Sequence, residues 1–255
     1  MKTRNIIDAN VGGRPVDMFE SRTESSSNKW LLMFFGTGEL GPSDGSQLHE
    51  MDNYGYQKTS SFETEWNVLA PQAQKTYDEF DLSIFDWMIE QYGNDIEIVI
   101  IGHSLGGREV MDLVNAYRGN KLPKQVVGAI AVAGEMSGPY PLPDESYDLP
   151  CVAFHGKSDT TISYWQSIKW VNHLNKKASR VHKAQLRIID GYGHTSIMTY
   201  VFQPSRDAEG YRTIRAMYSW DTAVECKAIL DEVNLKATFY LPDGSVKNYT
   251  LINPV

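Results

Sequence analysis

Cysteine is scarce in this sequence, with two residues, Cys151 and Cys226, in a chain of 255. Cys151 opens the apolar run CVAFHG, a setting typical of a small buried hydrophobic residue. Two cysteines cannot make a zinc cluster or a disulfide framework. One disulfide between them is possible, but two reduced thiols in a reducing compartment are the simpler interpretation.

Long hydrophobic runs and an excess of positive charge are also missing. No stretch of about 18 apolar residues occurs, so we expect no membrane-spanning helix. The opening MKTRNIIDANVGGRP contains no apolar segment of the signal-peptide kind. The formal net charge of −8 repels phosphate groups. We therefore expect no nucleic-acid partner, no membrane association and a cytoplasmic location, with a component of a viral particle as the alternative.

What the sequence does contain is a regular alternation of short apolar runs with amphipathic stretches. Its length suits one hydrophobic core. Strands are predicted at 13–21, 29–39, 66–72, 96–103, 126–134, 149–156 and 185–194, and helices at 80–93, 105–118 and 163–177. This order is typical of an α/β fold in which helices flank a mostly parallel central sheet.

Two stretches depart from this alternation. Residues 40–61 are polar and show no strong period, so we expect a functional or mobile loop. The segment LKATFYLPDGSVKNYTLI reads as two strands joined at Asp-Gly, which is a hairpin signal. We therefore predict a main domain over 1–224, followed by a helix and β-hairpin extension over 225–255 that packs on it. The hairpin is a candidate surface for an oligomer or assembly.

The stretch IVIIGHSLGG, residues 98–107, places Ser104 between a buried strand and a helix. A strand–turn–helix elbow holds a nucleophilic hydroxyl in a strained conformation, and it needs small residues two positions away on either side. Gly102 and Gly106 occupy these positions. The N–H groups that begin the helix point toward developing negative charge. The pattern predicts that Ser104 is a nucleophile.

A serine nucleophile needs a base, and the histidines differ in their surroundings. His194 ends RIIDGYGH on a glycine-rich turn after the last strand of the main sheet. This is the edge at which Ser104 emerges, so we predict that His194 is the base. His103 and His155 stand beside glycines at strand ends, where hydrogen-bonded packing is expected. The others, His49, His173 and His182, are expected in a loop or on the surface.

The third group of such a site orients the base and stabilises its cation. Asp159 lies three residues beyond the His-Gly pair of FHGKSDTTI, just after a predicted strand. It is our candidate for this role. The competing acids are Glu135, Asp144, Asp148 and Asp190. The chain order Ser104, Asp159, His194 differs from the orders of chymotrypsin and subtilisin.

The remaining requirement is an oxyanion hole made of N–H donors. One donor should be the N–H of Leu105, which follows the nucleophile. The second should come from the loop FFGTGE, where Thr37 is the best candidate and Gly38 the next. A plain glycine turn is the alternative interpretation of this loop.

Together, FFGTGE, GHSLGG, HGKSDTTI and GYGH resemble the motifs of the α/β-hydrolase superfamily, over residues 29–200. The similarity is to small serine esterases, which include carboxylesterases, dienelactone-hydrolase-like enzymes and feruloyl-esterase or polyhydroxybutyrate-depolymerase-like proteins. It implies a three-layer α/β-hydrolase fold, a catalytic domain over 1–224, ester cleavage through an acyl-serine, and no metal or organic cofactor. Relatives usually carry His-Gly in the oxyanion loop. Here Phe35-Gly36 takes that place, so the bonds that anchor the loop must differ.

The connection EMSGPYPLPDESYDL, residues 135–149, is too short and polar for a large hydrophobic cap. We therefore expect no large lid and an open pocket, shaped by 40–61 and by the aromatic residues Tyr140, Tyr164, Trp165 and Tyr192. The expected substrates are small or carbohydrate-linked acyl esters. A peptidase, thioesterase or acyltransferase with the same three residues stays open, as does a non-catalytic binding or structural protein on this fold.

Overall fold

A computed structural model describes residues 2–23, 26–52, 66–77, 82–116, 122–138, 149–176, 184–202, 227–231, 236–240 and 246–250. Its strands are β1 Lys2–Val11, β2 Arg14–Arg22, β3 Lys29–Phe34, β4 Asn67–Pro71, β5 Glu97–His103, β6 Val126–Val132, β7 Cys151–Gly156, β8 Gln185–Ile189, β9 Lys227–Asp231, β10 Lys236–Tyr240 and β11 Val246–Thr250. Its helices are α1 Ser83–Tyr92, α2 Leu105–Ala116, α3 Trp165–Asn175 and α4 Ile197–Phe202. Short 3-10 helices lie at Thr37–Glu39 and Leu48–Asp52.

The main sheet has eight strands in the order β1-β2-β4-β3-β5-β6-β7-β8. Its pairs from β4 to β8 are parallel, whereas β2 runs antiparallel to both β1 and β4. The predicted mostly parallel sheet is therefore confirmed. Its parallel strands bring their carboxyl ends to one common edge, which is where the predicted site residues should meet.

Both faces of this sheet are covered, because successive side chains of each strand point in opposite directions. In β5, Ile98 and Ile100 belong to one core, and Val99 and Ile101 belong to the other. The first core includes side chains of α1, α2 and α3. The second includes side chains of α4 and of the 3-10 helix at Leu48–Asp52. The result is the predicted three-layer architecture, with the sheet in the middle.

Strand β1 is an addition to what the sequence analysis predicts. It pairs with β2 through a tight turn at Gly12 and Gly13, whose φ angles are +58° and +85°. Two consecutive positive φ angles are typical of a two-residue hairpin turn, and glycine adopts them without strain. The Gly-Gly pair was therefore a usable hairpin signal.

The C-terminal strands form a separate three-stranded antiparallel sheet in the order β11-β10-β9. Pairing of β10 with β11 agrees with the predicted hairpin. The predicted helix before it is wrong at Lys227–Asp231, which is strand β9. A short apolar run such as Ala-Ile-Leu fits a helix or a strand equally well, and here it pairs with β10. How this sheet packs on the main domain stays a prediction, as does its role in assembly.

The polar segment 40–61 is described as far as residue 52. Its 3-10 helix buries Leu48 and Met51 against the sheet, so this part is anchored by ordinary core packing. Tyr140 and Cys226 lie outside the described residues. Cys151 is buried, and its thiol donates to the carbonyl of Leu149. Across the described ranges, every helix is too short or too polar to cross a membrane.

Candidate active site

Three predicted site residues meet at the carboxyl edge of the parallel strands. Ser104 follows β5, Asp159 follows β7 and His194 follows β8. The Ser104 Oγ atom lies 2.8 Å from His194 Nε2. On the other side of the ring, His194 Nδ1 lies 2.7 Å from Asp159 Oδ2. The side chains therefore form one continuous chain of hydrogen bonds from a hydroxyl to a carboxylate.

Ser104 stands on a strained turn between β5 and α2. Its φ angle is +55°, in the left-handed region that side chains other than that of glycine seldom adopt. The strand and the helix approach so closely that a methyl group at Gly102 would lie 2.1 Å from the Gly106 carbonyl oxygen. A methyl group at Gly106 would lie 2.2 Å from the carbonyl oxygen of Phe34. Glycine at both positions is thus a steric requirement of the elbow.

Asp159 is a fully buried carboxyl that receives four hydrogen bonds. Oδ1 accepts from the backbone N–H groups of Thr161 and Ile162, at 2.8 and 2.9 Å. Oδ2 accepts from His194 Nδ1 at 2.7 Å and from His155 Nε2 at 3.1 Å. Burial alone would raise the pKa of this carboxyl, but these donors together hold it well below its usual range. Asp159 is therefore a carboxylate at neutral pH.

His103 lies directly before Ser104 and supports the turn that carries His194. Its Nε2–H donates to the backbone carbonyl of His194 at 2.9 Å, and the two rings lie 4.9 Å apart. Burial lowers the pKa of His103 to about 4. The ring is therefore neutral at pH 7, with one N–H that ties the histidine turn to the elbow. The expected hydrogen-bonded packing of this histidine matches its contacts.

The loop FFGTGE, where the resemblance led us to expect His-Gly, is fastened at Phe35. The Phe35 carbonyl accepts from the N–H of Gly106 at 2.8 Å, which ties the loop to the elbow. The Phe35 N–H donates to the buried hydroxyl of Tyr77 at 2.7 Å. Farther along the loop, the side chain of Gln72 donates to the Glu39 carbonyl at 3.0 Å. Sequence analysis missed Tyr77 and Gln72, because neither stands near a recognisable motif.

Of the predicted oxyanion donors, Leu105 directly follows Ser104, and Thr37 and Gly38 follow Gly36, which passes close to it. Leu105 is the first residue of α2, so its N–H has no partner within the helix. Thr37 and Gly38 lie in the 3-10 helix that follows Gly36. A methyl group at Gly36 would stand 3.4 Å from Ser104 Cβ, which shows how closely the loop passes the serine. Their role as donors stays a prediction.

Glu39 brings a second carboxyl to this loop, which sequence analysis did not single out. Its residue surface is 4% exposed, and its Oε2 lies 3.3 Å from where a Gly36 methyl group would stand. Burial raises the pKa of Glu39, although backbone N–H groups of Glu39 and Gly36 oppose that shift. The buried Glu39 carboxyl is therefore a second acidic group close to the Ser104 turn.

Other predicted site residues have less direct positions. Tyr164 and Trp165 are half-buried and stacked on each other at 6.1 Å, at the start of α3. Tyr192 packs edge-on against Tyr200, and its carbonyl accepts from the Ser158 N–H at 2.9 Å. Each of these rings therefore makes packing contacts within the protein. The role of the three residues in substrate binding stays a prediction.

Asp159, and not one of the competing acids that the structure describes, contacts His194. Asp190 pairs with the exposed Lys157 at 2.9 Å, and Glu135 is exposed. Asp144 and Asp148 lie outside the described residues. Among the residues that the structure describes, no group of three or more His, Cys, Asp or Glu side chains is arranged to bind a metal ion.

Proteins of distant sequence share this fold. Est1E from Butyrivibrio proteoclasticus is 14% identical, and the match covers 86% of this chain and 100% of that chain with a TM-score of 0.57. Esterase 2 of Thermogutta terrifontis, phosphoramylated by tabun, is 14% identical over 86% of this chain and 93% of that chain, with a TM-score of 0.54. The acylaminoacyl peptidase of Pyrococcus horikoshii is 11% identical over 86% of this chain and 41% of that chain, also at 0.54. No protein-family model and no curated protein matches the sequence. The structural likenesses confirm the predicted α/β-hydrolase fold.

The close contact at the elbow predicts a large stability effect of one methyl group. Gly102→Ala should lower the free energy of unfolding by about 3 kcal/mol, because the backbone on both sides must move. Gly138→Ala is the matched control, since no atom lies within 4 Å of its added methyl group. The control should change stability by about 0.5 kcal/mol or less. Urea denaturation of both variants tests this, and equal effects would contradict it.

The burial of His103 predicts a pH dependence of stability. Its pKa is about 4 in the folded protein and about 6.5 when unfolded. The unfolded chain therefore binds the proton more readily between these values. The contribution of His103 to the free energy of unfolding should therefore fall by about 3 kcal/mol as the pH drops from 6.5 to 4, and it should not fall further below pH 4. Unfolding free energies at several pH values should show a flatter slope in His103→Gln. The exposed His49→Gln should keep the wild-type slope, and a wild-type slope in His103→Gln would refute the assignment.

Proposed function

We propose that the protein is a serine hydrolase that cleaves carboxylic esters through an acyl-serine intermediate. The observation that carries this proposal is the continuous hydrogen-bonded chain from Ser104 through His194 to Asp159. The strained elbow supports it as well, because a φ of +55° is costly at a serine and strain of this kind clusters at functional sites. A pure scaffold would gain nothing from either feature.

In the proposed reaction, Ser104 Oγ attacks the ester carbonyl carbon while His194 Nε2 takes the hydroxyl proton. The His194 ring becomes an imidazolium, which the Asp159 carboxylate stabilises through the Nδ1–H bond. The carbonyl oxygen becomes an oxyanion, for which we assign the N–H groups of Leu105 and Thr37, with Gly38 as the alternative to Thr37. His194 then returns the proton to the departing alcohol. A water molecule, deprotonated by His194 in the same way, then attacks the acyl carbon. The bond from that carbon to Ser104 Oγ breaks, His194 returns the proton to Oγ, and the acid leaves.

An ester substrate is favoured over a peptide by the extent of the structural matches. The esterases from Butyrivibrio proteoclasticus and Thermogutta terrifontis are matched over nearly their whole length, at 100% and 93% of those chains. The acylaminoacyl peptidase is matched over 41% of its chain, so more than half of it has no counterpart here. Esterases and a peptidase both share this fold. The substrate panel described below therefore includes substrates that would identify a peptidase, a thioesterase or an acyltransferase.

We infer further that the substrates are small or carbohydrate-linked acyl esters in an uncapped pocket. The start of the connection after β6 supports this, because it is held against α2. Arg108 Nε donates to Ser137 Oγ at 2.9 Å, and that hydroxyl donates to Asp112. The aromatic side chains of Tyr164, Trp165 and Tyr192, together with Tyr140, are the candidate contacts for the acyl or sugar group.

Two measurements on matched variants test the proposed chemistry. A fluorophosphonate probe should label the wild-type protein and Ser26→Ala, but not Ser104→Ala. Ser26 is an exposed serine before β3, at the opposite edge of the sheet, and serves as the control. Ester hydrolysis should fall by about 10⁴-fold or more in Ser104→Ala, because the nucleophile is lost. Labelling that persists in Ser104→Ala, or that is absent from the wild type, would refute the proposal.

A panel of acetyl, feruloyl, thioester and peptide substrates then identifies the acyl-transfer class. We expect the highest kcat/KM on small or sugar-linked oxygen esters. A strong preference for long acyl chains among p-nitrophenyl esters would contradict the open pocket. If the peptide is cleaved faster than every ester, the assignment as an esterase is wrong and the protein is a peptidase.

A further inference from the structure

Asp159 Oδ2 is shared by two histidines, and the proposed chemistry uses only one of them. His155, in β7, is fully buried. Its Nε2 lies 3.1 Å from Asp159 Oδ2 and 2.9 Å from the carbonyl oxygen of Ile162. Its Nδ1 lies 2.8 Å from the hydroxyl of Ser167, which is also fully buried and belongs to α3. Each ring nitrogen thus has a specific partner.

These partners determine which ring nitrogen carries the proton. Both groups beside Nε2 are acceptors, so Nε2 carries the hydrogen and donates to them. Nδ1 of the neutral ring then accepts from the Ser167 hydroxyl, which can donate or accept. Ser167 therefore holds His155 in the tautomer that donates to Asp159. A line of hydrogen bonds runs from α3 to the nucleophile: Ser167, His155, Asp159, His194 and Ser104.

We propose that His155 is a positioning residue of the esterase site, which fixes the Asp159 carboxylate and, by sharing Oδ2 with His194, sets how strongly His194 holds a proton. This inference rests on the proposed function, since it names the group that tunes the base. The His194 bond is the shorter of the two to Oδ2, at 2.7 Å against 3.1 Å. His155 therefore competes with His194 for the same oxygen, without displacing it.

The sign of the effect follows from that competition. Each N–H donor spreads the negative charge of a carboxylate and lowers its attraction for another donor. Removing the His155 N–H leaves more charge on Oδ2 for His194, which favours the imidazolium form. Two further titratable groups among the described residues lie near this site. The ring of His103 from β5 lies 4.9 Å from that of His194 and is kept neutral by burial, and the carboxyl of Glu39 approaches the Ser104 turn at Gly36. Asp159 is the carboxylate that contacts the His194 ring directly.

The test compares the pH profiles of kcat/KM for His155→Phe, His155→Gln and Ser167→Ala with that of the wild type. We expect the acid limb of His155→Phe to move to higher pH by about 0.5 to 1 unit, and kcat to fall about tenfold. His155→Gln should recover part of both effects, because its amide can donate to Oδ2. Ser167→Ala should move the limb in the same direction by less.

A matched control separates this tuning from a general loss of packing. His173→Gln removes another buried histidine, six positions beyond Ser167 on α3, about 9 Å along the helix. It should leave the acid limb in place. If folded His155→Phe and Ser167→Ala keep the wild-type limb, the inference is wrong. If His155→Phe does not fold, Ser167→Ala decides alone: a shifted limb supports the inference and an unmoved limb overturns it.

A second readout does not need turnover. Proton NMR of the protein should show a low-field resonance of the His194 Nδ1–H that points at Asp159, and this resonance should move in His155→Gln and Ser167→Ala but not in His173→Gln. A resonance that stays in place in both variants overturns the inference. Fluorophosphonate labelling of the wild type reports on the proposed function separately, so an unlabelled protein with a shifted resonance would refute the esterase and keep the shared hydrogen bond.

Discussion

The close contact between β5 and α2 is the constraint on which the candidate site depends. Because residues 102 and 106 lack side chains, the strand and the helix touch through their backbones, and Ser104 is held at the tip of the turn. That position brings its hydroxyl to His194 and its neighbour Gly106 to the Phe35 carbonyl. Ser104 and the loop FFGTGE are therefore fixed by the same turn. A side chain at either glycine would disturb both at once.

Charge at the site is organised around one buried carboxylate. Burying an ion is costly unless donors replace the lost water. For Asp159 these donors come from its own turn, from His155 in β7 and from His194 in the turn after β8. The same bonds that keep the carboxylate ionised also fix where it lies. Two further histidines support this arrangement, since His155 bonds to the Asp159 carboxylate and His103 bonds to the carbonyl of His194.

Sequence reasoning worked where the signal is local and failed where it is not. The alternation of apolar runs predicted the parallel sheet, and glycine spacing around Ser104 predicted the elbow. Tyr77 was missed because its bond to Phe35 joins residues 42 positions apart, and no sequence motif near residue 77 indicates this bond. The bond from His103 to the His194 carbonyl was missed for the same reason, because it joins residues 91 positions apart. The partners of His155 lie 4, 7 and 12 positions farther along the chain, but no motif links them to it. Strand β9 shows another limit, because a three-residue apolar run has no period to read.

The outermost strand, β1, is poorly suited to pairing with the backbone of another molecule. Its register with β2 breaks between Ile6 and Ala9, where Asp8 adopts a φ of +56°. The buried side chain of Asp17 accepts the Asp8 N–H at 2.8 Å and so locks this break in place. A strand interrupted at its middle offers no continuous ladder to the backbone of another molecule. Templated stacking into fibrils is therefore disfavoured along this border of the sheet.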